Sequence, residues 1–448
     1  MDAVARDRAV TLDLDVTGVA HGGVFVARHE GRVVFVPDAI PGERVHVRVE
    51  DAGDAAAKKS FWRAETLEVQ DASPDRRPHV WPEADISLAP EQRPGGADFG
   101  HIALARQRAL KAEVLSDALR RFAGLTLQAT VEPAGDAESE DGTGWRTRLS
   151  LHVDEAGAIG PFGARSHRVV PVASHPLAHP VLAEAALSLA GMPAGRVDLV
   201  LPADGRVRVI PRPKQPARSG AAPRGRGGDR RRRPARPAAP AEPTQAREVL
   251  VERAAGREFR VDAGGFWQVH RLAADTLSEA VATALGALEF DPAAANLDLY
   301  GGVGLFAAVI GAYGGPSTRI TSVESAPDAT AHAGENLAEW VGFRAVTARV
   351  DRYLAQLLSE ATAVERARWA GATVVLDPPR AGAGAGVVGA LGRMRPRSIV
   401  YVACDPVALA RDVGLFAAAG YTLTGLRAFD LFPNSHHLEA VAVLERAA

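Results

Sequence analysis

Five short apolar runs, at residues 297–300, 319–324, 345–350, 374–377 and 399–402, are each separated from the next by a stretch of helical periodicity. No other feature constrains the fold of this chain as tightly. A parallel neighbour can be reached only through a long crossover, so strands that alternate with helices pair in parallel. Runs that are apolar throughout, not at every second position, fit strands covered on both faces. The pattern predicts an α/β fold with a doubly wound parallel sheet, in which ligands bind at the edge formed by the carboxyl ends of the strands. Two further β-type runs, at about 421–429 and 438–444, have only a short connection. They are expected to form an antiparallel pair at one end of the sheet.

The residues at that predicted edge carry the chemistry. Asp298-Leu-Tyr-Gly-Gly-Val-Gly304 follows the first strand and opens a helix, so that its glycines, Gly302 among them, let the backbone pass close to a ligand. Glu324 ends the second strand, where an acid can take both hydroxyls of a ribose. Together these indicate an adenosine-containing cofactor, and the acid that begins the loop disfavours a pyrophosphate, which points to S-adenosylmethionine more than to a dinucleotide. Asp377-Pro-Pro-Arg-Ala-Gly382 closes the fourth strand with a carboxylate held over the edge by a rigid turn.

After the fifth strand comes Cys404, the only cysteine of the chain, followed by Asp405-Pro406 as the start of a helix. A thiol at a helix N-terminus is expected to be stabilised as a thiolate. Taken alone, a single cysteine is as readily an inert core residue. Glu439 changes the balance, because its strand runs antiparallel and therefore begins at the edge where the others end. Glu324, Asp377, Cys404 and Glu439 are expected to converge there.

Such a set suits a specific reaction. The C5 carbon of a uracil ring is a poor nucleophile, but addition of a thiolate to C6 makes the ring an enolate that can take a methyl group at C5. A base must then remove the C5 proton so that the thiolate is expelled, and Cys404 and Glu439 fit these two roles.

The preceding part of the chain reads differently. Residues 11–70 form short β-type runs with Gly and Pro between them, which predicts a small closed barrel of the OB type. Lys58, Lys59, Phe61, Trp62 and Arg63 combine charge with aromatic faces and suit phosphate contact and base stacking, or else the aromatics are barrel core and the lysines a solvated loop. An amphipathic helix is expected over about 102–122, with Arg106, Arg108, Lys111 and Arg120 on its solvated side. The stretch 131–210 is β-rich. Residues 211–247 are crowded with Pro, Arg, Gly and Ala and include the run Arg230 to Arg233, a composition that cannot bury a core. This insertion is read as disordered, either an electrostatic arm toward RNA phosphates or a neutral linker. The domains expected are therefore 8–71, 72–265 with the insertion 211–247, and 266–448.

The 448 residues are too many for one ordinary domain, and a 47% hydrophobic fraction allows ample core. A formal net charge of -2 argues against a uniformly basic nucleic-acid binder while leaving room for a local patch. No apolar run reaches the length of a membrane span and the N-terminus lacks an apolar signal region, so a cytoplasmic protein without membrane contact is expected. One cysteine excludes an iron–sulfur cluster or a zinc site held by several thiolates, and no metal is expected.

Phe266-Trp-Gln268, the Gly-rich loop 298–304, Val323-Glu324, the loop 377–382, Cys404-Asp-Pro406 with Ala410-Arg-Asp412, and Phe432-Pro433 with His437 and Glu439 occur in an order that resembles the RNA 5-methyluridine methyltransferase family. Members are S-adenosylmethionine-dependent enzymes with a Rossmann-like methyltransferase domain, and this chain is similar to those with an N-terminal TRAM barrel. The resemblance implies that Gln268, Tyr300, Glu324 and Asp377 contact the cofactor, with Gly302 in the same loop. It implies Cys404 as nucleophile, Glu439 as proton acceptor and Arg380 as a contact to the target nucleotide. The partner implied is structured RNA, with ribosomal RNA favoured over transfer RNA, and a monomer is expected.

Three positions depart from the family pattern. Many members hold a four-iron cluster through cysteines in the region that here spans 77–97, which has none. His270 replaces an asparagine, and Gly301 replaces a cysteine. The competing readings are a transfer-RNA enzyme, a methyltransferase with another substrate, and a non-catalytic RNA chaperone or ribosome-assembly factor of the same fold.

Overall fold

The structure is a computed structural model that describes residues 10–49, 60–214 and 243–447. Strands β1 (Thr11–Ala20), β2 (Val24–His29), β3 (Arg32–Val36), β4 (Arg44–Val49) and β5 (Phe61–Asp71) close into a barrel in the order β1-β2-β3-β5-β4. Alternate residues such as Leu14, Val16, Phe25, Val34, Val36, Val45 and Val47 fill its interior, as the two-residue period of a strand requires. On the outside of β5, Phe61 is 39% exposed; Trp62, on the opposite face, is half-buried against the barrel core with the Arg32 guanidinium 4.5 Å above its ring. Lys58 and Lys59 lie outside the described residues.

The helix Leu104–Ala118 ends in a wider turn at Leu119–Ala123. It joins two cores, giving Leu110 to the barrel and Leu115, Ala118 and Leu119 to the sheet described below. Its expected solvated face is not all solvated. Lys111 is fully buried, paired with buried Asp430 and donating to the Phe432 carbonyl at 3.1 Å.

The central stretch divides between two cores. Strands β7 (Arg148–Val153), β8 (Ile159–Gly160), β9 (Gly195–Val200) and β10 (Arg208–Pro213) form an antiparallel sheet in the order β10-β9-β7-β8, with a core of its own. Strand β6 (Val131–Pro133) leaves for the large sheet, and the hairpin β11 (Val249–Ala254) and β12 (Arg257–Asp262) packs on one of that sheet's faces. The expected insertion is narrower than its composition suggested. Residues up to Pro213 pair with β9, and Thr244–Arg247 form a helical turn. The arginine run 230–233 lies outside the described residues.

The large sheet has eight strands: β6, β13 (Asn296–Leu299), β14 (Ile320–Glu324), β15 (Phe343–Thr347), β16 (Thr373–Leu376), β17 (Ser398–Ala403), β18 (Tyr421–Asp430) and β19 (Glu439–Arg446). Their order is β15-β14-β13-β16-β17-β19-β18-β6, with β13 to β17 parallel and β19 antiparallel between β17 and β18. The runs are apolar throughout because both faces are covered. Val375, Val400, Val402 and Val441 enter one core, and Val374, Leu376, Ile399, Tyr401 and Ala440 enter the other. The antiparallel pair is not the end of the sheet as expected, since β6 adds in parallel outside β18. A three-residue strand far away in the chain has too little pattern to be read in advance.

The Lys111–Asp430 pair fixes the chain between β18 and β19. Lys111→Met is expected to destabilise the protein by about 3 kcal/mol, because it leaves the buried carboxylate with only the Arg108 guanidinium at 3.6 Å, while Lys111→Met with Asp430→Leu restores most of the loss. Urea unfolding midpoints of the two variants check this. Equal midpoints for both would deny the pair its role.

Candidate active site

The register of the sheet brings the predicted residues together. Ala403 on β17 pairs with Ala440 on β19, so the next residue outward on each strand puts Cys404 opposite Glu439. Adjacent antiparallel positions lie about 4.5–5.5 Å apart. Leu376 on β16 pairs with both Leu299 on β13 and Tyr401 on β17, which sets Asp377 between the Gly-rich loop and the cysteine strand. The charges of Asp377 and Glu439 act on Cys404, Asp298 acts on Asp377, and Glu324 acts on Asp298. One continuous acidic edge thus runs from β14 to β19.

The expected thiolate is not what this edge favours. Burial, reinforced by the charges of Glu439 and Asp377, pushes the Cys404 thiol up to about 12, and Arg380 only partly opposes this. Helix Pro406–Ala418 contributes little because its free N–H groups are already taken: the Asp405 side chain accepts from Val407 N–H at 3.0 Å and from Ala408 N–H at 2.8 Å. Burial also raises Asp377 to about 7, and burial with the neighbouring Asp377 charge holds Glu439 well above the usual carboxylate range. Asp377 is therefore poised to exchange its proton near neutral pH, and Glu439 is biased toward its protonated form in the resting edge.

At the other end of the edge, the Gly-rich loop is held in a strained turn. Tyr300 has φ +62, with its N–H on the Val323 carbonyl at 2.9 Å and that of Gly301 on the same oxygen at 3.2 Å. A left-handed non-glycine residue fixed by its neighbours is characteristic of ligand-binding loops. Glycine at 301 has a local cause: a Cβ there would lie 2.0 Å from Ser322 Oγ and 2.4 Å from Asp298 Oδ2, the two atoms that form the buried pair beneath the loop. The Glu324 carboxylate accepts from Gly302 N–H at 3.3 Å and Ala326 N–H at 2.8 Å, tying the first two loops of the edge together. Gly302 has open space where a side chain would stand.

Gln268 is half-buried on the loop after β12, beside buried Trp267 and exposed Phe266. Its loop is anchored by His270, which stacks on Trp145 and accepts Leu272 N–H at Nδ1, just before the following helix. Burial lowers His270 to about 3. Among the described residues no group of three or more His, Cys, Asp or Glu side chains could hold a metal ion, and no helix is long and apolar enough to cross a membrane.

Three positioning residues escaped the reading of the sequence. Buried Asp412 accepts from Tyr401 Oη at 2.8 Å, Ala383 N–H at 2.7 Å and Gly384 N–H at 3.1 Å, stapling the end of the 377–382 loop to the helix that follows Cys404. Lys111 fixes the loop before Glu439. His21, on the turn between β1 and β2, approaches Asp405 at 3.3 Å and brings the barrel into the same cleft as Cys404. Asp412 stood within a motif and could have been found; the other two depend on contacts between distant segments. The segment 77–97, without cysteines, is held by other means: His79 bonds the Ala97 carbonyl at 3.1 Å and accepts Trp81 N–H at 3.0 Å, over a small core of Trp81, Ala97, Trp145 and Leu177.

Two family models match the chain, a TRAM domain over residues 8–58 and a tRNA (Uracil-5-)-methyltransferase over residues 350–447. An RNA methyltransferase of Streptomyces avermitilis is 39% identical, with 97% of this chain and 98% of that protein covered. A 23S rRNA (uracil(1939)-C(5))-methyltransferase of Shewanella amazonensis is 30% identical over 98% of this chain and 97% of its own length. The structure of Pyrococcus abyssi tRNA (uracil-54, C5)-methyltransferase, in complex with S-adenosyl-L-homocysteine, superposes with a TM-score of 0.65 at 20% identity, covering 97% of this chain and 100% of that one. This last likeness is one of fold.

Proposed function

Because the chain belongs to the RNA uracil-C5 methyltransferase family, we propose that it methylates C5 of a uridine in structured ribosomal RNA through a covalent bond between Cys404 and C6. Its methyl donor is S-adenosyl-L-methionine. The observation that carries the mechanism is the adjacency of a thiol and a carboxyl at the end of β17 and the start of β19. The preference for ribosomal over transfer RNA is supported by the full-length similarity to the Shewanella enzyme. The protein is expected to act in the cytoplasm as a monomer.

The residues present suit the donor. A braced carboxylate, Glu324, and an open glycine, Gly302, flank a strained turn where an adenosyl group can lie. Gln268, Tyr300, Gly302, Glu324 and Asp377 are assigned to hold it, and the bound donor supplies an electrophilic methyl. Cys404 gives its proton to the neighbouring Asp377 carboxylate and adds to C6 of a uridine taken out of its stack. The electron pair passes into the ring and C5 becomes the nucleophile that takes the methyl. Glu439 then removes the C5 proton, the C5–C6 double bond re-forms, and the Cys404–C6 bond breaks. Arg380, whose charge opposes the rise of both Cys404 and Glu439, is assigned to the target nucleotide.

Mapping of 5-methyluridine in cells that lack the gene tests the substrate. Loss of the modification at one ribosomal site, restored by the wild-type gene, is expected. A site lost from transfer RNA instead would reassign the substrate, and unchanged 5-methyluridine in every RNA fraction would remove the reading.

A further inference from the structure

In the central unit, a cavity of about 280 Å³ lies between the strands around β7 and the segment that precedes helix Leu104–Ala118. That is several times the ~30 Å³ that a water molecule takes in the liquid. Trp81, Arg146, His152, Phe162 and His175 line it, with Gly95 and Gly96 contributed by the cysteine-free segment. Cavities left by imperfect packing are apolar. This one is mostly apolar but not wholly so: the half-buried side chain of Arg146, Ser150 and two imidazoles also line it.

The wall is also shaped for a flat guest. The rings of His152 and Phe162 are stacked with centroids 3.4 Å apart and planes 11° from parallel, and Trp81 packs near His175 at 6.0 Å. Burial is the first cause lowering both His152 and His175, so these imidazoles are neutral at pH 7 and Arg146 carries the only formal charge among the lining residues. Arg146 is fixed by its backbone, which donates to the Leu177 carbonyl at 2.9 Å and accepts from His179 N–H at 2.8 Å.

The cavity adjoins the strand-end edge. The charge of Arg380 acts on Arg146, and Trp145 beside it meets Phe432, on the loop that leads to Glu439, edge-on at 6.0 Å. A planar guest that offers an acceptor to Arg146 and belongs to something that also reaches the catalytic edge fits these features. An unstacked base of the RNA meets all three conditions, since every base has a π-face and ring or carbonyl acceptors.

We propose that this cavity is a second base pocket, which holds an unstacked nucleotide near the target uridine against its aromatic lining, with an acceptor toward Arg146. The proposal rests on the RNA methyltransferase reading and adds to it a site that fixes which RNA is taken. Stacking in a preformed pocket would offset the cost of taking a second base out of its stack and would hold the substrate in one register.

The test is ultraviolet cross-linking of the full chain to unmodified ribosomal RNA, followed by mass spectrometry of the nucleotide-bearing peptides. Adducts on peptides that contain Trp81 or Phe162 are expected. In steady-state assays, Trp81→Leu removes an aromatic face of the pocket and should raise KM for RNA about tenfold, the worth of one stacking contact. Phe162→Leu should raise it about tenfold through lost stacking. Both variants should keep kcat within about twofold and bind S-adenosylmethionine as the wild type does, which a misfolded protein would not. Unchanged KM in both variants, with cross-links confined to the barrel and the Cys404 loop, would overturn the pocket and leave the methylation reading intact. Adducts formed with free mononucleotides but not with ribosomal RNA would overturn it too. Cross-links at Trp81 in a wild-type protein that makes no 5-methyluridine would uphold the pocket and remove the reaction.

Discussion

Cys404→Ala is expected to abolish methyl transfer, lowering the rate by about 10³-fold or more, the scale on which loss of a covalent nucleophile acts. The wild type should form a complex with 5-fluorouridine-substituted RNA that survives a denaturing gel, because the fluorine at C5 cannot leave as a proton and the adduct is trapped. The alanine variant should form none. RNA binding without the adduct in the wild type would mean that the cysteine is not the nucleophile. The resting thiol adds a second measurement. With its pKa pushed up to about 12, the thiolate fraction at pH 7 is about 10⁻⁵, so alkylation by iodoacetamide in the absence of RNA should be slow. It should then quicken about tenfold per pH unit into the alkaline range, since only the deprotonated form reacts. Rapid alkylation at pH 7 would contradict the environment described for this residue. Such a thiol can work at neutral pH only if its proton leaves as the ring is attacked. Asp377, raised to about 7 and so partly ionised at neutral pH, lies close enough to act on its charge and can take that proton, which leaves Glu439 for the C5 proton.

How much of this could be read from the chain follows from where the forces are local. The strands from β13 to β17 were legible because burial on both faces demands continuous apolar runs, and that demand is written residue by residue. The convergence of Cys404 and Glu439 was legible too, since an antiparallel strand joined by a short connection must begin where its neighbour ends. Other features depend on distant partners. Lys111 reads as one basic residue among several on an amphipathic helix, and nothing nearby in sequence announces that Asp430 waits in the core. The three-residue strand β6 has no period to detect. The helix N-terminus at Cys404 suggested a thiolate because dipole and position are local properties, but the opposing charges come from other strands and decide the outcome. Asp405 was read as the start of a helix, and its cap of Val407 and Ala408 is what removes the dipole from the cysteine.

Glu439→Gln separates the second half of the reaction from the first. The amide keeps the shape of the side chain but cannot accept the C5 proton, so the methyl group should still be transferred while release of the RNA slows by about 10²–10⁴-fold, the usual worth of a positioned base. With ordinary uridine RNA and methyl-labelled S-adenosylmethionine, a labelled covalent complex should accumulate in the Gln variant and be only transient in the wild type. Turnover equal to that of the wild type would take Glu439 out of the mechanism and make Asp377 the next candidate for the base. A change of opposite sign shows whether the fold is intact. Ionised Glu439 is the largest charged neighbour that raises the Cys404 pKa, so its removal lowers that pKa and enlarges the thiolate fraction wherever the wild-type carboxyl is charged. Alkylation of Cys404 without RNA should therefore be faster in Glu439→Gln than in the wild type at alkaline pH, and the two rates should converge as the pH falls and Glu439 takes up its proton. A more reactive thiol in an enzyme that cannot release its product is a combination that general damage to the site would not produce.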